Sequence, residues 1–336
     1  MSMLLNNTLY QSNFRPVLNT EIFFLDDLPE FSNWNVIGTG IEGTFSTVYQ
    51  VAPKGRSVST RYALKMLNSQ WSGTLMGESV LKREMEIGIA ISDPHLLPVL
   101  DCQQTRFGGN HDGLSDHTRK VLEPGYIVSP WLQGQTIQDL LIHRNSINLR
   151  CVLRIGQQIA KGLDTLHQNG WIHNDIKPAN LFLSPSGHVT VLDFGLAECY
   201  PVSSPEKSLN PMTFENFGFV SGTPNYIAPE RLRHFPVMTP QSDIFSLGLV
   251  LFEMIFGGIF PRIDSCKELV NRQNRISEHY LEDYEEQLGL LPKSLSALLI
   301  SMTAKDYTKR PQSAYEIYTG LLETEWTLAE TVSSVQ

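Results

Sequence analysis

The stretch with the most chemical content lies between positions 173 and 195. It reads His173-Asn174-Asp175-Ile176-Lys177-Pro178-Ala179-Asn180 and then, further on, Asp193-Phe194-Gly195. Between the two, Leu181-Phe182-Leu183 and Val189-Thr190-Val191-Leu192 flank Ser184-Pro185-Ser186-Gly187, the pattern of a short hairpin. A hairpin returns the chain to where it began, so Asp175, Lys177, Asn180 and Asp193 belong at one end of it. Asp175 supplies a carboxylate able to orient and deprotonate a hydroxyl. Asn180 and Asp193 form an oxygen-only pair that matches the hard-cation preference of Mg²⁺. With Lys177 the set suits a nucleotide triphosphate. Taken singly, each aspartate is more often a turn or cap residue; the ordered set reverses those odds.

Upstream, Ile37-Gly38-Thr39-Gly40-Ile41-Glu42-Gly43-Thr44-Phe45-Ser46-Thr47-Val48-Tyr49 contains G-x-G-x-x-G, a common loop pattern on its own. Two registers are open. One takes Gly38, Gly40 and Gly43 as phosphate-covering glycines; the other aligns Gly43 to Val48 and keeps one glycine of the three. In either, backbone N–H groups must approach phosphate oxygens, which side chains would obstruct. Lys65 shares a strand face with Ala63 and Leu67 by the period of 2, and a lysine on an apolar face needs an anionic partner. Glu84 is placed to be that partner, since it falls on the helical stripe of Val80, Ile87 and Ile91. Glu86 is the alternative, on a stripe that also carries Lys82.

These residues require particular elements to hold them. Thr47–Val51 and Tyr62–Leu67 read as a β-hairpin, 78–92 as a helix, and Leu97–Leu100 and Tyr126–Val128 as two more strands. The polar stretch from Gln103 to Gly125 reads as a surface loop. Val152, Ile155, Ile159, Leu163 and Leu166 form an amphipathic stripe that stops at Gly170. Helical patterns dominate from about Asp243 onward. Ile244–Phe260 is almost continuously apolar, but it is short for a membrane span and contains Glu253, so a buried helix is expected.

The 336 residues are 41% hydrophobic and 18% charged, an ordinary globular balance. A net charge of −9 argues against nucleic acid as a general partner. The cysteines 102, 151, 199 and 266 are scattered, without zinc spacing, and read as free thiols of a reducing compartment. With no charged n-region followed by an apolar stretch at the N-terminus, no signal peptide is recognised. The expectation is a soluble, cytoplasmic protein, with export into another cell left open.

On the Asp175–Asn180 and Asp193–Gly195 segments the sequence resembles the protein kinase superfamily, specifically eukaryotic-like serine/threonine kinases. The roles that follow are those of the general kinase template. The resemblance implies an α+β fold, with a small β-rich N-lobe holding one key helix and a larger, mainly helical C-lobe. It runs from about Trp34 to Trp326, which divides the chain into an extension (1–33), a kinase domain (34–326, with N-lobe about 34–130, hinge about 129–133 and C-lobe about 134–326) and a tail (327–336). It implies transfer of the ATP γ-phosphate to Ser or Thr hydroxyls of protein substrates, with Mg²⁺. Asp175 becomes the catalytic-loop base, Lys177 the phosphate-stabilising lysine, and Asn180 and Asp193 the metal ligands. Nucleotide contacts fall to Gly38, Gly40, Gly43, Val48, Ala63, Lys65 with Glu84, the Pro130 carbonyl and the Leu132 N–H, with Ser129 at the gatekeeper position.

Gly222-Thr223-Pro224-Asn225-Tyr226-Ile227-Ala228-Pro229-Glu230 resembles the end of an activation segment, and Lys177 with Thr223 is the Ser/Thr pattern. Glu230 and Arg310 match the ion pair that braces the large lobe. His173 is expected in the core. Asn174 stands where most of the family has arginine, which removes the receiver of a phosphorylated activation loop. That makes the chain a non-RD type whose activity does not depend on such phosphorylation; Ser203, Ser204, Ser208, Thr213 and Ser221 remain candidate autophosphorylation sites. A catalytically silent binding module would need a missing residue, and Lys65, Asp175, Asn180 and Asp193 are all present. A small-molecule kinase would share the carboxylates, but Lys177 and Ala228-Pro229-Glu230 argue for protein substrates.

Overall fold

The computed structural model describes residues 31, 33–55, 60–107, 121–143, 146–200, 224–232, 237–257 and 266–333. They divide into two units: residues up to 90 together with 98–131, and residues 91–97 together with 132 onward.

In the first unit, runs rich in β-branched and aromatic residues pair as one antiparallel sheet. Its strands are β1 (Trp34–Val36), β2 (Ile41–Glu42), β3 (Ser46–Pro53), β4 (Tyr62–Leu67), β5 (Asp101–Gln103) and β8 (Tyr126–Pro130), in the order β1-β3-β4-β8-β5 with β2 also on β3. Among the described residues of this unit the one helix is α1 (Leu75–Ala90). Period 2 sorts the faces. Val51, Leu64 and Val128 pack with Phe31 and Tyr126 on one side. Leu67 and Ile127 pack with Leu81 and Met85 of α1 on the other. Lys65 lies opposite Ile127 in the β4–β8 register, and so on the α1 side.

Three expectations shift here. The helix starts at Leu75, not 78, because Thr74 caps it: Thr74 Oγ1 accepts the Gly77 N–H at 3.1 Å. It ends at Ala90, just ahead of Asp93-Pro94, where proline disfavours helical geometry in the residue before it. Leu97–Leu100 is not a strand, since Pro98 breaks the ladder; the strand begins at Asp101, and the N–H groups of Val99 and Leu100 go to the carbonyls of Gly88 and Val128. Nor is 103–125 simply a loop, because β6 (Arg106–Phe107) pairs with β7 (Val121–Glu123), joined by an Arg106–Glu123 ion pair of 2.9 Å.

The second unit is mainly helical. It contains β9 (Gln135–Thr136), α2 (Ile137–His143), α3 (Leu149–Gln168), β10 (Trp171–Ile172), β11 (Leu181–Leu183), β12 (Val189–Val191), β13 (Glu198–Cys199), α4 (Gln241–Phe256), α5 (Cys266–Arg275), α6 (Glu285–Gly289), α7 (Lys293–Met302) and α8 (Ala314–Ser333). The apolar stripe read on α3 is buried at every position. Asn148 caps that helix by accepting the Arg150 N–H. Strands β9, β11 and β12 form a small antiparallel sheet in the order β12-β11-β9, so that the 181–183 arm of the hairpin is the central strand. Residues 91–97 join this unit because Leu97 N–H and Val191 N–H bond to the carbonyls of Val191 and His95, and Thr165 Oγ1 donates to Asp93. The helix α4 is buried almost all round. Among the described residues no helix is long and apolar enough to cross a membrane.

Candidate active site

In the first unit Lys65 Nζ lies 2.6 Å from Glu84 Oε2. The Glu84 side chain is 4% exposed, whereas Glu86 is 48% exposed and faces Lys82 at 3.7 Å. Burial makes the choice between the two glutamates: a carboxylate removed from water needs a charged or hydrogen-bonding partner. Ala63 lies opposite Ser129 across β4–β8, and Val48 opposite Lys65 across β3–β4. The turn between β2 and β3 is closed by the Gly43 N–H donating to Ser46 O at 2.8 Å, which places Thr44 and Phe45 at its tip.

Gly38 and Gly40 are elsewhere. The chain between Val36 and Ile41 is longer than the Val48–Val51 stretch it faces, so both glycines sit in a bulge before the tip. A β-carbon at Gly40 would strike the side chains of Thr47 and Tyr49, while at Gly38 it would meet open space. Gly40 is thus required by packing. Pro130 ends β8 opposite Tyr62, and buried Ser129 precedes it; Leu132 is where the chain passes from the first unit back into the second.

In the second unit the segment 173–180 is assembled on Asp243, in the first turn of α4. Its Oδ2 accepts the His173 N–H and the His167 Nε2–H, and its Oδ1 accepts the Asn174 N–H, all at 2.8 Å. Burial alone would raise this carboxyl, but the His167 hydrogen bond and the neighbouring histidines hold it below its ordinary value. His173 Nε2 reaches the Leu192 carbonyl at 3.0 Å; a carbonyl only accepts, so Nε2 carries the proton and Nδ1 is left to receive the Asp175 N–H. Asn174 takes φ 67°, a left-handed conformation that asparagine tolerates best among side-chain-bearing residues.

The groups singled out from the sequence meet here. Lys177 Nζ lies 2.7 Å from Asp175 Oδ2. Asn180 Nδ2 donates to the same oxygen at 3.0 Å and to the Asp175 carbonyl at 2.9 Å. Leu192 N–H donates to the Asn180 carbonyl, which brings Asp193 beside it, with φ 65°. The donor set fits a hard divalent cation: Asn180 commits its amide nitrogen to Asp175, so its amide oxygen is turned away toward other partners, and Asp193 adds a carboxylate. Phe194 is buried edge-on against His173, with ring centroids 5.4 Å apart.

Glu230 and Arg310 form a fully buried bidentate pair at 2.7 and 2.8 Å, and Ser242 Oγ adds a third bond to Glu230. Gly222, Thr223 and the serines and threonine at 203, 204, 208, 213 and 221 lie outside the described residues.

Residues 31–327 match the model of the protein kinase domain. The chain belongs to that family. This kinase-domain chain is 28% identical over 279 residues to a Clostridium perfringens protein named as a probable serine/threonine-protein kinase, covering 82% of this chain and 36% of that protein. It is 26% identical over 286 residues to a similarly named protein of Bifidobacterium longum, covering 83% and 33%. Against the serine/threonine-protein kinase PrkC of Bacillus subtilis the figures are 24% over 255 residues, 76% and 35%. The chain thus spans about a third of the length of these relatives.

The matched region begins at Phe31, whose ring packs on Tyr126 within the first core cluster. Sequence reasoning stopped short of that residue. It also gave Asp243 no role beyond opening a buried helix. A carboxylate at the head of an otherwise apolar helix was the available signal, since it must find donors. Arg231 was missed entirely: its Nη1 donates to Asn174 Oδ1 and lies 2.8 Å from Met238 Sδ.

Proposed function

We propose that this kinase-domain chain is an active serine/threonine protein kinase that uses ATP and Mg²⁺ and phosphorylates Ser or Thr hydroxyls of protein substrates. The observation that carries the reading is the convergence of Lys177 and Asn180 on one carboxylate, Asp175, in a loop anchored to Asp243. The names of the bacterial relatives point the same way.

In the first unit Lys65, held by Glu84, would bind the α- and β-phosphates, and the backbone of the Gly43–Ser46 turn would cover the terminal ones. Val48 and Ala63 would pack against adenine, with a hydrogen bond to the Pro130 carbonyl; the Leu132 N–H that the family resemblance also assigns to the nucleotide belongs to the second unit. In the second unit Asn180 and Asp193 would hold Mg²⁺, which when bound neutralises phosphate charge. Asp175 orients the substrate hydroxyl and takes its proton as the oxygen–phosphorus bond forms. The bond from the γ-phosphorus to the bridging oxygen breaks, and ADP leaves with that electron pair. Lys177 beside Asp175 offers a cation to the transferring phosphoryl group. Positioning and electrostatics supply most of the acceleration.

The non-RD reading rests on Asn174. Its side-chain oxygen takes the Arg231 guanidinium and its N–H goes to Asp243, so the loop is tied by groups that are permanently present. Phosphate on the 201–223 segment is then not needed. The free thiols Cys102, Cys151 and Cys199 suit a reducing, cytoplasmic setting.

The test is incubation with Mg²⁺ and γ-labelled ATP, with and without a generic basic protein, beside Asp175→Ala. Label on Ser or Thr is expected in the parent and absent from the variant, which keeps its ATP affinity. Equal label in both removes Asp175 as the base; no label in either, with ATP bound, points to a silent module. Phosphatase treatment of the parent is expected to leave turnover intact, and its abolition would sink the phosphorylation-independent reading.

A further inference from the structure

We infer that Asn68 and Trp71, in the segment joining β4 to α1, are positioning residues that hold the tip of the Gly43–Ser46 turn so that its N–H groups face a nucleotide's phosphates. The inference rests on the nucleotide reading above and deepens it.

Three consecutive carbonyls of the tip are captured. Asn68 Nδ2 donates to Gly43 O at 2.9 Å, Trp71 Nε1 donates to Thr44 O at 2.9 Å, and the Asn68 backbone N–H donates to Phe45 O at 2.9 Å. The Asn68 side chain is itself fixed, because its Oδ1 accepts Thr47 Oγ1 at 2.7 Å. The Phe45 ring packs on the Trp71 ring with centroids 4.9 Å apart. In a trans peptide the C=O and the following N–H point in opposite directions. Capturing the carbonyls of residues 43–45 on the Asn68/Trp71 side therefore turns the N–H groups of Thr44, Phe45 and Ser46 away from it. Consecutive N–H groups presented on one side of a turn form an anion-binding concavity.

This tie replaces what glycine usually permits. A turn with glycines at several positions reaches phosphate by flexibility and must be ordered on binding; this one has only Gly43 and is ordered by side chains. Trp71 is a rigid post for it, packed against the cluster of Leu67, Leu81, Met85 and Ile127. Its carbonyl accepts both the Thr74 N–H at 3.1 Å and Thr74 Oγ1 at 2.7 Å, and Thr74 caps α1. At Gly77 a β-carbon would fall on that same Trp71 carbonyl oxygen, so the close seat of the helix on Trp71 needs glycine. The residue that holds the tip is therefore joined to the helix that carries Glu84.

The test measures the affinities of ATP and of adenosine, with Mg²⁺, for the parent chain, Trp71→Phe, Asn68→Ala and Asn68→Asp, with circular dichroism as the check on folding. Trp71→Phe keeps the ring contact and loses the indole donor; Asn68→Asp keeps the acceptor for Thr47 and loses the donor to Gly43. Each variant is expected to weaken ATP by about tenfold, the effect of roughly 1.4 kcal/mol from one lost hydrogen bond and a looser turn, with adenosine within about twofold of the parent. Unchanged ATP affinity, or equal losses for ATP and adenosine, would overturn the inference while leaving the nucleotide site standing. A parent that binds adenosine and ATP equally well would remove the phosphate-holding reading itself, and this one with it.

Discussion

Lys65 and Glu84 show how far one ion pair constrains a reading. Glu84 is nearly excluded from water, and its hydrogen bond to Lys65 is 2.6 Å. Breaking a buried pair by removing one partner costs about 3–5 kcal/mol, because the remaining charge stays desolvated. Lys65→Met should therefore lower thermal stability and remove phosphoryl transfer together. Glu84→Gln is the more discriminating variant. The amide still accepts a hydrogen bond from the ammonium but no longer holds it by charge, so the fold should survive while kcat/KM for ATP falls by about ten- to a hundredfold, the effect of roughly 1.4–2.7 kcal/mol. Steady-state kinetics beside a thermal melt separates the two effects. Full activity in Glu84→Gln would mean that Lys65 is held by something else.

At the scale of elements, α4 carries two acidic residues in opposite circumstances. Asp243 sits in its first turn, where the helix dipole and three donors favour the charged form; burial opposes them, yet the carboxyl is held below its ordinary value. Glu253 lies near the other end. Burial raises it above its ordinary value of 4.5, and the hydrogen bond from the Tyr226 hydroxyl at 2.5 Å offsets only part of that. The signs follow. Asp243 contributes stability above the usual aspartate range that is lost as pH falls through its lowered pKa. Glu253 stabilises most when protonated, and that contribution is lost as pH rises through its raised pKa. Glu253→Gln keeps an acceptor for Tyr226 and cannot ionise, so it should melt higher than the parent at about pH 8, with the gap closing toward about pH 4, below the ordinary carboxylate range. A pH-independent gap would assign the effect to packing instead.

The α3 stripe, the 181–191 hairpin and the Lys65–Glu84 pairing follow from periods of 2 and 3.6, which are local signals. The Trp71 bond to Thr44 spans 27 positions and the Arg231 bond to Asn174 spans 57, and no local pattern announces either. The 97–100 stretch is apolar enough to suggest a strand, but Pro98 has no N–H to give a ladder, so pairing begins at Asp101.

At the scale of the whole molecule the chain carries a net charge of −9. A field of that sign attracts cationic peptides and repels acidic ones before any contact forms, and such an effect acts on encounter more than on chemistry. Salt screens it: the Debye length shrinks from about 20 Å at roughly 20 mM to about 7 Å at roughly 200 mM. With ATP saturating, kcat/KM for a peptide bearing several Lys or Arg around its Ser or Thr should fall several-fold over that range. An acidic peptide of equal length should show the opposite slope, and kcat should move little for either. Both slopes are needed, because salt that merely weakened the enzyme would lower the two peptides alike. Parallel slopes would place substrate choice in local contacts, with the overall charge serving solubility alone.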